Sequence, residues 1–174
     1  LKPEHISAYS LIIEEGTPFY EQYGTGRTSD LIPQLPDEEM DRLIYQETEV
    51  FLERYGYHRY EISNYAVPGK ECLHNNVYWT RGNYLGLGVG AASMVDNQRW
   101  NQSDQIQDYI KTVTKGQLDD IIVNKEILSV REQMEEFMFL GLRLTEGVLI
   151  ADFDKYFNLK LEEIYQNSIQ KLIK

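Results

Sequence analysis

Cys72, His74, Asn75, Tyr78 and Trp79 fall within the eight residues Cys72-Leu73-His74-Asn75-Asn76-Val77-Tyr78-Trp79. The segment brings together a soft sulfur, an imidazole, an amide and two large amphipathic aromatics. Imidazole and thiolate ligate heme iron, and flat aromatic rings give a macrocycle walls to stack on. Each residue also has a plainer reading. A lone cysteine behaves as a small hydrophobe, a backbone carbonyl can satisfy a histidine, and a Tyr-Trp pair can be core. Residue types and spacing leave both readings open.

A glycine-rich run, Gly82-Asn83-Tyr84-Leu85-Gly86-Leu87-Gly88-Val89-Gly90-Ala91-Ala92-Ser93, follows almost at once. It is not a dinucleotide fingerprint. That motif sits between a strand and a helix as G-x-G-x-x-G, whereas here the third glycine comes after one residue and the flanks read as strand. Missing side chains would instead let another backbone, or a ligand, approach closely. The chain has no C-x-x-C pair, metalloprotease motif, G-x-S-x-G elbow or P-loop. No self-sufficient catalytic site is legible.

The elements that must carry these residues read as follows. His5 to Ile13 is nearly continuous in apolar and small residues, as in a strand buried on both faces. Tyr20 to Gln34 reads as a polar loop. Pro36 to Tyr55 reads as a helix, with Met40, Leu43, Ile44, Val50 and Phe51 on one face and Glu47 interrupting the stripe. Asp37 to Glu39 suit its positive end, and Gly56 its stop. Tyr57 to Ser63 reads as a strand, which with the helix before it suggests a right-handed β-α-β unit in a mostly parallel sheet. Tyr84 to Val95 and Arg99 to Gln102 are further strand candidates. Ser103 to Lys115 reads as a helix bearing Ile106, Tyr109, Ile110 and Val113, followed by a linker-like stretch.

Ser129-Val130-Arg131-Glu132 is a capping box. It opens a helix with Met134, Phe137, Met138 and Leu142. Two shorter helices follow, one around Ile150 to Tyr156 and one from Leu161 to Ile173. Three short helices with tight turns resemble a helix-turn-helix. From Arg131 to Lys174, however, six basic residues face eight carboxylates, and a DNA-reading module is normally basic. A packing or lid role is the better reading of this module.

Bulk properties narrow the classes further. A net charge of −11 disfavours nucleic acid and anionic membrane surfaces. At 174 residues the chain suits one domain plus a small appendage. It can bury roughly 70% of its unfolded surface without staples. One cysteine cannot form an internal disulfide, which fits a reducing cytosol. No apolar run is long enough for a membrane span. The opening Leu1-Lys2-Pro3-Glu4-His5 lacks a signal-peptide layout and reads as the interior of a longer protein.

An ordered series of motifs resembles the later part of the HemW proteins. It begins with His5-Ile6-Ser7-Ala8-Tyr9-Ser10-Leu11, Glu14-x-Gly16-Thr17-Pro18 and Tyr60-Glu61-Ile62-Ser63-Asn64-Tyr65-Ala66. Cys72-x-His74-Asn75-x-x-Tyr78-Trp79, Tyr84-Leu85-Gly86-Leu87-Gly88-x-Gly90-Ala91 and Arg99-Trp100-Asn101 follow. Glu136-Phe137-Met138-x-x-Gly141-Leu142-Arg143 closes the series. These proteins are radical S-adenosylmethionine (SAM) relatives of oxygen-independent coproporphyrinogen III oxidase, and HemW itself is regarded as a heme-binding chaperone serving respiratory proteins.

The resemblance implies an α/β fold: the last strands and helices of a partial (β/α) barrel over residues 1–115, then a small, winged-helix-like helical domain over 116–174, cut short. It implies His74 as heme-iron ligand and Cys72 as a second candidate. Tyr78 and Trp79 would wall the macrocycle, and Asn75 would orient the histidine or a propionate. Ile12 and Ala92 would border the SAM pocket of a complete barrel. The family's C-x-x-x-C-x-x-C loop for a [4Fe–4S] cluster is absent, so this chain by itself is expected neither to bind the cluster nor to cleave SAM. A porphyrinogen oxidase is the alternative activity of the parent protein. A cytoplasmic location is expected, and the oligomeric state is not legible.

Overall fold

The computed structural model describes residues 1–24 and 33–173. They pack as two compact units, Leu1–Glu71 and Cys72–Lys174.

In the first unit, β1 (His5–Ser7), β2 (His58–Arg59) and β3 (Asn64–Ala66) form one small sheet beside helix α1 (Glu38–Arg54). β3 lies in the middle and runs antiparallel to both neighbours, with Tyr65 opposite Ile6 on one side and Arg59 on the other. The parallel pairing expected from the β-α-β succession is thereby corrected: β1 and β2 run the same way, but an antiparallel strand separates them. The cause lies in residues 60–63. The buried Glu61 carboxylate accepts from the Ser63 N–H at 2.8 Å and from Asn64 Nδ2 at 2.5 Å, folding the segment into a turn where a longer strand was expected. His5 to Ile13 is likewise cut to three ladder residues, because β3 offers only three partners. Tyr9, Leu11 and Ile12 are exposed. Within the expected loop, Tyr20–Gly24 forms a π-helical turn and residues 25–32 lie outside the described residues.

Helix α1 starts at Glu38, two residues after the expected Pro36, with Asp37 accepting from the Met40 N–H at 2.8 Å. Its apolar stripe does not face inward. Met40, Leu43, Ile44, Val50 and Phe51 are exposed, and Leu52 alone is buried. Seventeen helical residues extend roughly 25 Å, while three-residue strands span roughly 10 Å. A sheet that small cannot cover the helix.

The second unit begins with helix α2 (Leu73–Trp79). An antiparallel sheet follows, of β4 (Ala92–Val95), β5 (Gln98–Gln102) and β6 (Ile122–Ile127), with α3 (Ile106–Thr114) between its last two strands. Asp96 and Asn97 both adopt left-handed φ values, 49° and 63°, as a two-residue hairpin turn requires. The strand expected over Tyr84–Val95 is corrected to a turn plus the short β4. Tyr84 makes one bridge to Met94, and Gly88 and Gly90 reverse the chain at φ 109° and 69°. A Cβ on Gly86 would lie 2.2 Å from the Ala92 carbonyl oxygen, so at that position the missing side chain serves backbone approach. The expected linker contains β6, paired with β5. Its residues are mostly exposed and interrupted by charge, so the sequence shows no clear alternation there.

The capping box forms as read: Ser129 and Glu132 bond reciprocally at the start of α4 (Val130–Gly141). Helices α5 (Ile150–Phe157), α6 (Leu161–Ile164) and α7 (Gln166–Leu172) follow, the expected last helix being interrupted at Tyr165. Edge-on aromatic contacts of Phe153 with Phe137 and Tyr165 anchor this cluster, and Phe153 is fully buried. Among the described residues, no helix is long and apolar enough to cross a membrane.

Asp154 joins α5 to α6. Lys160 Nζ lies 2.6 Å from one carboxylate oxygen, and the Leu161 N–H donates to the other at 2.9 Å. The lysine bond, then the backbone bond, hold its carboxyl below the ordinary aspartate range. Such a depressed folded-state value stabilises the fold above the unfolded aspartate pKa of about 4 and is lost as pH falls through the lower folded value. Asp154→Asn should therefore lower the Tm at pH 7, and the difference from wild type should close as pH falls below the unfolded aspartate value of about 4. Differential scanning calorimetry across pH 2–7 checks this.

Candidate functional site

Helix α2 makes two turns, with Cys72 at its N-cap. Residues four apart share a helix face, so His74 and Tyr78 meet. The Tyr78 hydroxyl lies 3.0 Å from His74 Nε2, and the rings stand edge-on with centroids 4.8 Å apart. Tyr84 meets Tyr78 edge-on at 4.6 Å from the turn that follows. The imidazole is exposed, while Tyr78 and Tyr84 are half-buried. The result is an imidazole presented to solvent on a backing of two phenols.

Trp79 is five residues from His74, or about 140° around the helix at 3.6 residues per turn, and takes a different environment. Its ring lies under the Arg143 guanidinium, 4.3 Å from the ring centroid. Its indole nitrogen is buried and has no hydrogen-bond partner among the described residues. The sequence cluster thus splits: His74 and Tyr78 form one group, and Trp79 belongs to the seam with α4. Cys72 and Asn75 are half-buried. Ile12 is exposed in the first unit, beyond β1, and Ala92 is exposed at the start of β4 in the second.

Three charged residues beside this helix were not legible as site residues. Arg81 donates through Nε to Glu136 of α4 at 3.2 Å and through Nη2 to Asn97 Oδ1 at 3.0 Å. Arg99 of β5 binds the other Glu136 oxygen and reaches Glu126 of β6 at 3.5 Å. The side chains of Arg81 and Glu136 are 2% and 9% exposed. Burial opposes the charge on Arg99, but the Glu136 hydrogen bond and charge outweigh it and raise the pKa. A cavity of about 320 Å³ opens beside this cluster, between Tyr78 and Trp79 on one side and Phe139 and Leu140 of α4 on the other. Sequence offered one signal, the Glu136 to Arg143 motif, whose charged ends fall seven residues apart, one within α4 and one just past its C-terminal cap.

Among the described residues no three His, Cys, Asp or Glu side chains gather as a metal site. A [4Fe–4S] cluster needs several thiolates, and with one cysteine this sequence does not fit that group.

Residues 128–174 match the model of the HemN C-terminal domain. The chain is 35% identical to the heme chaperone HemW of Lactococcus lactis subsp. lactis (strain IL1403), over 99% of this chain and 43% of that protein. It is 33% identical to the heme chaperone HemW of Bacillus subtilis (strain 168), over 99% and 44%. The coproporphyrinogen III oxidase HemN of Escherichia coli, described as a radical SAM enzyme, superposes with a TM-score of 0.67 at 16% identity. The match covers 97% of this chain and 40% of that one.

The fold is therefore the mixed α/β fold of the HemN radical SAM enzymes. The chain matches the C-terminal portion of the HemW and coproporphyrinogen III oxidase-like radical SAM proteins, and its residues 128–174 match the HemN C-terminal domain. It spans less than half the length of the curated relatives it matches.

If Tyr78 fixes the imidazole, the His74 ring should show one predominant neutral tautomer. Long-range ¹H–¹⁵N correlation spectra should report it, and Tyr78→Phe should shift the ring ¹⁵N signals toward a tautomer mixture.

Proposed function

We propose that the protein carries heme as cargo, as its HemW relatives are named for doing, and that His74 is the iron ligand. The observation that carries this reading is the exposed His74 ring with its Nε2 engaged by the Tyr78 hydroxyl at 3.0 Å. A porphyrin supplies four nitrogens to its iron, so the protein needs to add only an axial donor, and a lone imidazole fits. Ligating histidines usually give their second ring N–H to a partner, which fixes tautomer and ring orientation. In the tautomer that donates Nε2–H to the Tyr78 hydroxyl, the Nδ1 lone pair is the one left to bind the iron. Tyr78 then acts mainly on the histidine, and Tyr84 backs it. Leu85 and Leu87, exposed at 66% and 82%, supply apolar surface in the adjoining turn. Asn75 is assigned to a propionate or to the histidine, and Cys72 remains the second candidate ligand.

For the whole protein we propose the family arrangement. Residues 1–115 contribute the end of a partial (β/α) barrel, and 116–174 a helical, winged-helix-like domain. Ile12 and Ala92 border the SAM pocket, and the [4Fe–4S] cluster is held by residues outside this chain. The location is cytosolic, and respiratory heme proteins receive the cargo.

Heme titration of the intact protein, followed in the Soret band, should give a bound spectrum distinct from free heme. His74→Ala should weaken binding at least tenfold. An unchanged spectrum and affinity would remove His74 from the site. Anaerobic conversion of coproporphyrinogen III by the cluster-reconstituted protein would instead favour an oxidase, the activity named for the structural neighbour.

A further inference from the structure

Helix α2 has little to hold it in place. It spans seven residues, and none of them is fully buried. Isolated helices of this length are not stable in water. Something outside the helix must fix the direction in which it presents His74.

The chain leaves α2 in an unusual way. The Arg81 N–H bonds the Tyr78 carbonyl at 3.1 Å, and the Gly82 N–H bonds the Val77 carbonyl at 2.7 Å. This is the paired closure of a Schellman motif, whose left-handed position normally holds glycine. Here the left-handed residue is Arg81, at φ 54°, with Gly82 one place later. An arginine in that conformation is strained, and such strain persists only where the surroundings over-determine it. They do so here. The Arg81 side chain is buried between Glu136 and Asn97, and Glu136 is its one ion-pair partner among the described residues. Seven residues on from Glu136, Arg143 lies over Trp79, the last residue of α2. Glu136 within α4 and Arg143 just past its C-terminal cap thus grip the C-terminal end of α2 at two points.

We infer that Glu136, acting through Arg81, is a positioning residue that fixes α2 and so sets the orientation of the His74 imidazole. Its use in heme binding rests on the function proposed above, but the positioning itself does not. On this reading α4 holds the ligand helix from behind without touching the ligand.

Two variants of the intact protein test it. Glu136→Gln keeps shape and removes charge. Arg81→Gly removes the clamp while placing the favoured residue at the left-handed position, so a merely structural account expects it to be neutral or stabilising. In the heme-free protein, both should move the His74 ring ¹⁵N signals while far-UV circular dichroism stays unchanged. With heme, both should weaken affinity at least fivefold and alter the induced circular dichroism of the Soret band. Folded variants with wild-type His74 signals, and with affinity within twofold of wild type, would overturn the inference. If Glu136→Gln fails to fold, Arg81→Gly decides alone. If wild type binds no heme, the carrier reading fails, and the heme-free ¹⁵N comparison still decides the clamp.

Discussion

The second unit depends on one buried carboxylate shared by two guanidinium groups. Glu136 from α4 meets Arg81 beyond α2 and Arg99 from β5. A helix, a sheet and a second helix therefore converge on one charge. Taking such charges out of water is costly, and a buried ion pair is weak support for stability in itself. Once it is formed, though, removing the shared carboxylate leaves the buried Arg81 uncompensated, at a cost of about 3–5 kcal/mol, whereas removing one arginine leaves Glu136 paired with the other. The arrangement is an all-or-none constraint on how these elements meet. A hydrophobic seam would tolerate sliding, whereas a two-armed hydrogen-bonded carboxylate does not.

The site follows from that constraint. His74 and Tyr78 meet because they are four residues apart on a helix, a local fact. Where their shared face points is not local, since α2 is too short to orient itself. The imidazole is exposed, the edge-on phenols of Tyr78 and Tyr84 back it, and the Arg143–Trp79 stack braces the end of its helix. An exposed histidine costs nothing to display, while the structural cost falls on the residues that aim it.

The sequence was informative where the signals are local. The cap at Asp37, the capping box at Ser129–Glu132 and the stop at Gly56 all lie where residue chemistry puts them. The dense patch from Cys72 to Trp79 was also visible. What sequence missed were pairings. The strand expected over Tyr57–Ser63 is shortened to β2 by the turn around Glu61, and β6 was hidden because its residues are mostly exposed and broken by charge. Arg81 gave no sign of its role, because a left-handed arginine looks like any other in sequence. The apolar stripe of α1 was legible as a stripe, but no sheet in its unit is large enough to bury it.

The iron–histidine stretching band in resonance Raman spectra of the ferrous, heme-loaded intact protein tests the central claim most directly. With His74 as ligand, the band should be present in wild type, shift in Tyr78→Phe as the hydrogen bond to Nε2 is lost, and vanish in His74→Ala. A band that persists unchanged in His74→Ala would mean that another residue holds the iron, and that α2 is not the ligand helix.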